Sequence, residues 1–259
     1  MPNVTSRHVF AFFAGLDGTG HHLFGSMLRS CPYCNDASEL RHALLPWWFL
    51  DHAPAERRAM QSRVTTLFRS LMQRQEEQPL TIWFLNVFEE EGTGQLSYPN
   101  GASARFMPHV DLLASAARAA QAELYIVALH RDAASVEASV RARYLKNYQN
   151  RWGSIDAAHP IATAMVAQAT SLRAQLMALA PEQLMCLHYE TLPLGAGVLD
   201  RALCRGDGSC AGWSFLEAAK TNYRPGRRTS TVPLQPYQQP MHTANLQLMA
   251  TCKTMAELT

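Results

Sequence analysis

Two short segments place anion-binding residue types where an anion can be held. The first is Gly15-Leu16-Asp17-Gly18-Thr19-Gly20-His21-His22, which follows the apolar run Val9 to Ala14 and precedes a helical stretch. Glycines let backbone N–H groups approach an anion closely, and the N-terminus of the following helix adds a positive dipole end. Asp17, Gly18, Thr19, Gly20, His21 and His22 are therefore candidate phosphate-binding positions. The spacing is close to that of a phosphate-binding P-loop. His21 stands in place of the lysine and His22 in place of the Ser/Thr that normally holds Mg²⁺. That departure predicts a reaction without a metal and disfavours an ordinary nucleotide triphosphatase. The competing reading is a tight strand-to-helix turn with no ligand.

The second segment is Leu129-His130-Arg131-Asp132, with Ser139 eight residues after Arg131. An arginine at the carboxyl end of a buried strand offers a bidentate, charge-assisted grip on phosphate, and a serine hydroxyl can share the same oxygen. The alternative is a surface arginine paired with Asp132 or Glu137. The His-Arg-Asp triplet is similar to a kinase catalytic loop, but position 137 lacks the asparagine that loop needs and the glycine loop is not GxGxxG. Arg224, Arg227 and Arg228, around Pro225-Gly226, form the densest basic cluster. They would fold over phosphates or form an exposed segment. Trp47 and Trp48 line an acceptor pocket or belong to the core.

The elements that must position these residues follow from apolar periodicity. His8 to Ala14, Leu80 to Val87, Leu124 to Leu129 and Gln183 to Leu187 read as buried strands. Helices are expected over His21 to Ser30, Ala55 to Gln75, Val110 to Ala122, Ala133 to Arg151, Ile161 to Leu179 and Thr243 to Glu257. Beyond Pro193 the pattern thins into Gly, Pro and Arg. Strands alternating with helices predict an α/β chain with a mostly parallel sheet, organised as one domain over residues 1–259. Ligands then bind beyond the carboxyl ends of the strands, at the loops that start near Gly15, Phe88, His130 and His188.

Together these segments resemble the sulfotransferases that use 3′-phosphoadenosine 5′-phosphosulfate (PAPS). The glycine loop is similar to that family's 5′-phosphosulfate loop. Arg131 and Ser139 match its 3′-phosphate motif. His188-Tyr189-Glu190-Thr191-Leu192 looks like the segment beside the adenine, which makes Tyr189 a binding candidate. Arg224-Pro225-Gly226 is a looser match to a C-terminal segment that also grips the 3′-phosphate, through Arg224 and Gly226. The resemblance implies a three-layer, P-loop-like fold, PAPS as donor with no metal, and in-line transfer of a sulfonyl group to an acceptor hydroxyl on a carbohydrate or small molecule. It implies base catalysis from His21, His22 or Glu89, with Glu90 and Glu91 just past the second strand and His109 as further candidates; the competing reading of the glutamate run is a solvated loop. Two family features are missing: Leu16 replaces a loop lysine, and Ser97, in Leu96-Ser97-Tyr98-Pro99, replaces a catalytic histidine. Those gaps keep open a non-catalytic nucleotide-binding module or a small-molecule kinase.

Composition bounds the rest. Hydrophobic residues make up 47% of 259 residues and the net charge is +2, which fits a globular core and gives no global field for nucleic acid. No apolar run reaches the ~18 residues of a membrane span. A cytoplasmic location is expected, or a Golgi lumen if an anchor was removed. Cys31-Pro32-Tyr33-Cys34 has redox-motif spacing but follows a helix, which favours a structural turn or local disulfide over a redox site. Cys204 and Cys210 flank a loop that a disulfide would close. Zinc shared by the two pairs is a weak alternative.

Overall fold

The computed structural model describes residues 6–16, 19–44, 52–74, 79–85, 109–136, 138–139, 158–205, 210–223 and 236–256. Five strands form one parallel sheet: β1 (Arg7–Gly15), β2 (Cys34–Asp36), β3 (Leu80–Phe84), β4 (Glu123–His130) and β5 (Leu184–His188). Their order is β2-β3-β1-β4-β5, every pairing parallel. The helices are α1 (His21–Leu28), α2 (Ser38–Leu44), α3 (Pro54–Met72), α4 (Val110–Ala120), α5 (Ala158–Met177), α6 (Leu192–Leu203), α7 (Phe215–Asn222) and α8 (Gln239–Ala256).

The layering follows from strand periodicity. Along β1, Phe10, Phe12 and Ala14 bury on one face, while Val9, Ala11 and Phe13 bury on the other. A strand with both faces apolar is stable only between two layers of helices. One face packs against α1, α6 and α7 through Phe24, Met27, Leu199, Leu203 and Phe215. The other packs against α2, α3, α4, α5 and α8 through residues such as Leu40, Phe68, Leu113, Leu172 and Leu248. The three-layer α/β architecture is thus the one the sequence predicts.

Several elements depart from expectation. The strand expected to begin at Leu124 starts one residue earlier and ends at His130. β2 and α2 have no counterpart in the periodicity reading; β2 has three residues, too few to show a period. The region beyond Pro193 is not a thinning loop, because it carries α6 and α7. In α6, Leu192, Ala196, Leu199 and Leu203 form one buried stripe that two glycines and a proline obscure. Helix α7 has an N-cap readable in the sequence: the Ser214 hydroxyl accepts from the N–H groups of Leu216 and Glu217. Asp200 of α6 reinforces that cap by accepting from Phe215 N, Leu216 N and Ser214 Oγ at 2.7, 3.0 and 2.8 Å.

All six cysteines are paired, as Cys31–Cys34, Cys186–Cys252 and Cys204–Cys210. Two pairs are the local bridges expected from spacing. Cys31–Cys34 closes the turn between α1 and β2, and neither cysteine opens a helix as a redox motif would require. Zinc shared between these pairs is excluded while their sulfurs are joined. The third bridge, across 66 residues, had no sequence signal. Among the described residues no helix is long and apolar enough to cross a membrane.

Candidate functional site

Strand order selects the ligand edge. From β1 the chain runs to β2 on one side of the sheet, and from β4 it runs to β5 on the other. The winding therefore reverses between β1 and β4, the place where ligands bind in open parallel sheets. Gly15, the last residue of β1, pairs with Leu129, and His130 pairs with His188. The glycine loop, the Arg131 segment and the Tyr189 segment thus leave the sheet side by side.

The glycine loop is tightly constrained. Thr19 donates from its N–H and from its hydroxyl to the Leu16 carbonyl, at 3.2 and 2.8 Å. A Cβ at Gly15 would lie 2.7 Å from Thr19 Oγ1 and 2.8 Å from the Leu129 carbonyl oxygen, so only glycine fits there. Gly20 caps α1 in the left-handed region, at φ 109°, and has no side chain with which to cap it. The first N–H groups of a helix have no acceptor within the helix itself. Leu16, at the place of the family's lysine, is buried in the apolar core and offers no charge.

Tyr189 joins these loops. A Cβ on Gly20 would meet Tyr189 Cδ2 at 2.5 Å, so the ring lies directly against the glycine. The Arg131 guanidinium stands 4.4 Å from the centroid of the same ring. That contact places the cation over the face of an aromatic ring, an arrangement that suits arginine. Tyr223, just past α7, meets Tyr189 edge-on with ring centroids 5.6 Å apart. Its hydroxyl donates to the Glu190 carbonyl at 3.2 Å. Burial, helped by Tyr189 and Glu190, raises the Tyr223 pKa above the ordinary tyrosine value. The sequence reading missed Tyr223; its place directly before Arg224 was the available signal.

The neighbouring carboxylates are turned onto the backbone. Asp132 Oδ1 accepts from Ser135 N at 2.8 Å and caps the helical turn at 133–136. Glu190 Oε1 accepts from Asp132 N at 3.1 Å and ties the β4 and β5 loops together. Arg131 thus lies over Tyr189 and Asp132 serves as a cap, while Glu137, the other expected surface partner, lies outside the described residues. Ser139 lies half-buried on the helical stretch beyond. The arrangement of a cation over an aromatic ring beside the start of a helix fits an anionic ligand with an aromatic base.

Other sequence candidates are placed differently. Nδ1 of His109 lies 3.1 Å from Nη1 of Arg57, which also donates to Asp111 at 2.7 Å. Arginine only donates, so Nδ1 of His109 is the acceptor and is already engaged. His130 is 1% exposed, and its pKa is pushed down to about 3 by burial and then by His188. His130, Cys186 and Cys252 bring ligand atoms within 4.8 Å of one another. Both sulfurs are joined in a disulfide, so the cluster is not a metal site in the oxidised chain. Asp17, Gly18, Trp47, Trp48, Glu89, Glu90, Glu91, Ser97, Arg224, Gly226, Arg227 and Arg228 lie outside the described residues, as do the side chains of His21 and His22.

No protein-family model and no curated protein matches the chain. A solved structure, the "Sulfotransferase Domain from the Synechococcus PCC 7002 Olefin Synthase", is similar at 13% identity and a TM-score of 0.42. The match covers 99% of this chain and 97% of that one. Likeness at that level assigns no residue a role.

Proposed function

We propose that this chain is a sulfotransferase that uses PAPS and transfers its sulfonyl group to an acceptor hydroxyl on a carbohydrate or small molecule. The observation that carries the proposal is the convergence of Gly20, Arg131 and Tyr189 at the strand switch point. When bound, the donor supplies a sulfonyl group on an activated phosphate. The acceptor oxygen forms its bond to sulfur as the sulfur–oxygen bond to that phosphate breaks. Negative charge then builds on the leaving phosphate, where the α1 N-terminus and its loop can stabilise it. Arg131 and Ser139 grip the 3′-phosphate, and Tyr189 borders the base. His21, His22 or Glu89 takes the acceptor proton, and Arg224 and Gly226 close over the nucleotide. Paired cysteines support a chain that matures in an oxidising compartment over a cytoplasmic one.

The test is calorimetric titration with adenosine 3′,5′-bisphosphate, the product nucleotide, in EDTA, with ATP as the control. Micromolar binding of the bisphosphate and little of ATP is expected. Absence of bisphosphate binding removes the proposal. One observation favours a second reading, a non-catalytic nucleotide-binding module: the lysine position is held by the core residue Leu16. Binding without turnover across an acceptor panel would select that module.

A further inference from the structure

We infer that Asn245 is a positioning residue for Arg131, held in register by the Cys186–Cys252 disulfide. The inference rests on the reading of Arg131 as a nucleotide ligand. Along α8, Met241, Ala244, Leu248 and Cys252 bury against the sheet. Asn245 lies in the same stripe and is 2% exposed. A buried carboxamide is costly among apolar neighbours unless its donors are used. Asn245 Nδ2 donates to the Arg131 carbonyl at 2.7 Å. A buried polar residue of that stripe therefore holds the backbone of the residue whose guanidinium lies on Tyr189.

Cys252 stands seven residues on, two helical turns along the same face. Its disulfide reaches Cys186 of β5, three residues before Tyr189. It is also 2.7 Å from Nε2 of His130, the residue before Arg131. A disulfide sulfur can only accept, so Nε2 carries the proton. One helix is thus tied covalently to the strand that delivers Tyr189 and hydrogen-bonded to the loop that delivers Arg131. Both partners of the stack take their register from α8. The Cys186–Cys252 link keeps Asn245 from sliding along the sheet, so oxidation of this pair completes the site.

Two variants of the full chain test this: Asn245→Leu, of similar volume but with no donor, and the double change Cys186→Ala with Cys252→Ala. Hydrogen exchange is followed over residues 131–136, alongside bisphosphate affinity. Both variants should exchange faster there than wild type while exchange in β1 stays unchanged. Affinity should fall about tenfold, the effect of roughly one lost buried hydrogen bond. Unchanged exchange over 131–136 in Asn245→Leu overturns the inference. So does wild-type affinity in that variant. If wild type binds no bisphosphate, the function proposal fails by itself. Exchange then still decides whether Asn245 holds the Arg131 segment. Should Asn245→Leu not fold, the cysteine variant supplies the same two readouts.

Discussion

At the scale of single residues, the proposed site turns on one tyrosine, Tyr189, with Gly20 against its ring and Arg131 over it. Arg131 over Tyr189 is a cation placed against a ring before any ligand arrives, which lowers the cost of ordering it on binding. Replacing it with alanine should weaken bisphosphate binding by about 2–4 kcal/mol, because a desolvated phosphate charge loses its partner. Ser139→Ala should cost about 1 kcal/mol, one neutral hydrogen bond. Titration of both variants checks the ranking, and a larger loss from Ser139→Ala would reverse the two roles. Gly20 is constrained twice, by its positive φ and by the ring against it. Gly20→Ala should therefore destabilise the chain by about 2 kcal/mol or more and push the Tyr189 ring away. Chemical denaturation reads the first effect, and loss of bisphosphate affinity reads the second.

At the scale of elements, α6, α7 and the β5 loop form one unit, because Asp200 holds the start of α7 while Tyr223 at its end touches Tyr189. Asp200→Ala removes acceptors from two N–H groups at the buried start of α7. It should cost about 1–3 kcal/mol in urea unfolding. A change below half a kilocalorie would mean that Ser214 alone suffices as the cap. This unit also marks the limit of what was legible in the sequence. Strands β1, β3, β4 and β5 were readable because buried parallel strands are continuous apolar runs. Arg131 and the glycine loop were readable because their chemistry is local. Helix α6 was hidden by Gly195, Gly197 and Pro193, although its leucine stripe was present. Helix α7 is marked in the sequence by Ser214 with Glu217 three residues on, a start signal that apolar periodicity does not carry. The meeting of Gly20 with Tyr189, and of Asn245 with Arg131, joins residues more than a hundred positions apart, so no local pattern encodes it.

At the scale of the whole molecule, the sheet buries a histidine that must stay neutral. His130 ends β4 between His188 and the Cys186–Cys252 bridge. Its Nδ1 has no hydrogen-bond partner among the described residues, so no acceptor there stabilises a second proton. Burial first, and His188 second, depress its pKa to about 3. In the unfolded chain the same ring titrates near ~6.5. Between these values the unfolded state binds the proton and the folded state does not. Stability must therefore rise with pH across that window and fall as the solution is acidified from neutrality. The slope from this one group approaches about 1.4 kcal/mol per pH unit in the middle of the window. Above it His130 contributes no pH dependence. Urea unfolding of wild type and His130→Leu, at several pH values between the two limits, isolates the term. The variant loses the titrating group, so its stability should decline less steeply with acid than that of wild type. Parallel declines in the two proteins would show that His130 accepts a proton without unfolding the chain. The region around α8 and β5 would then be open enough to solvate a charge, contrary to the closed packing that ties α8 to the Arg131 segment.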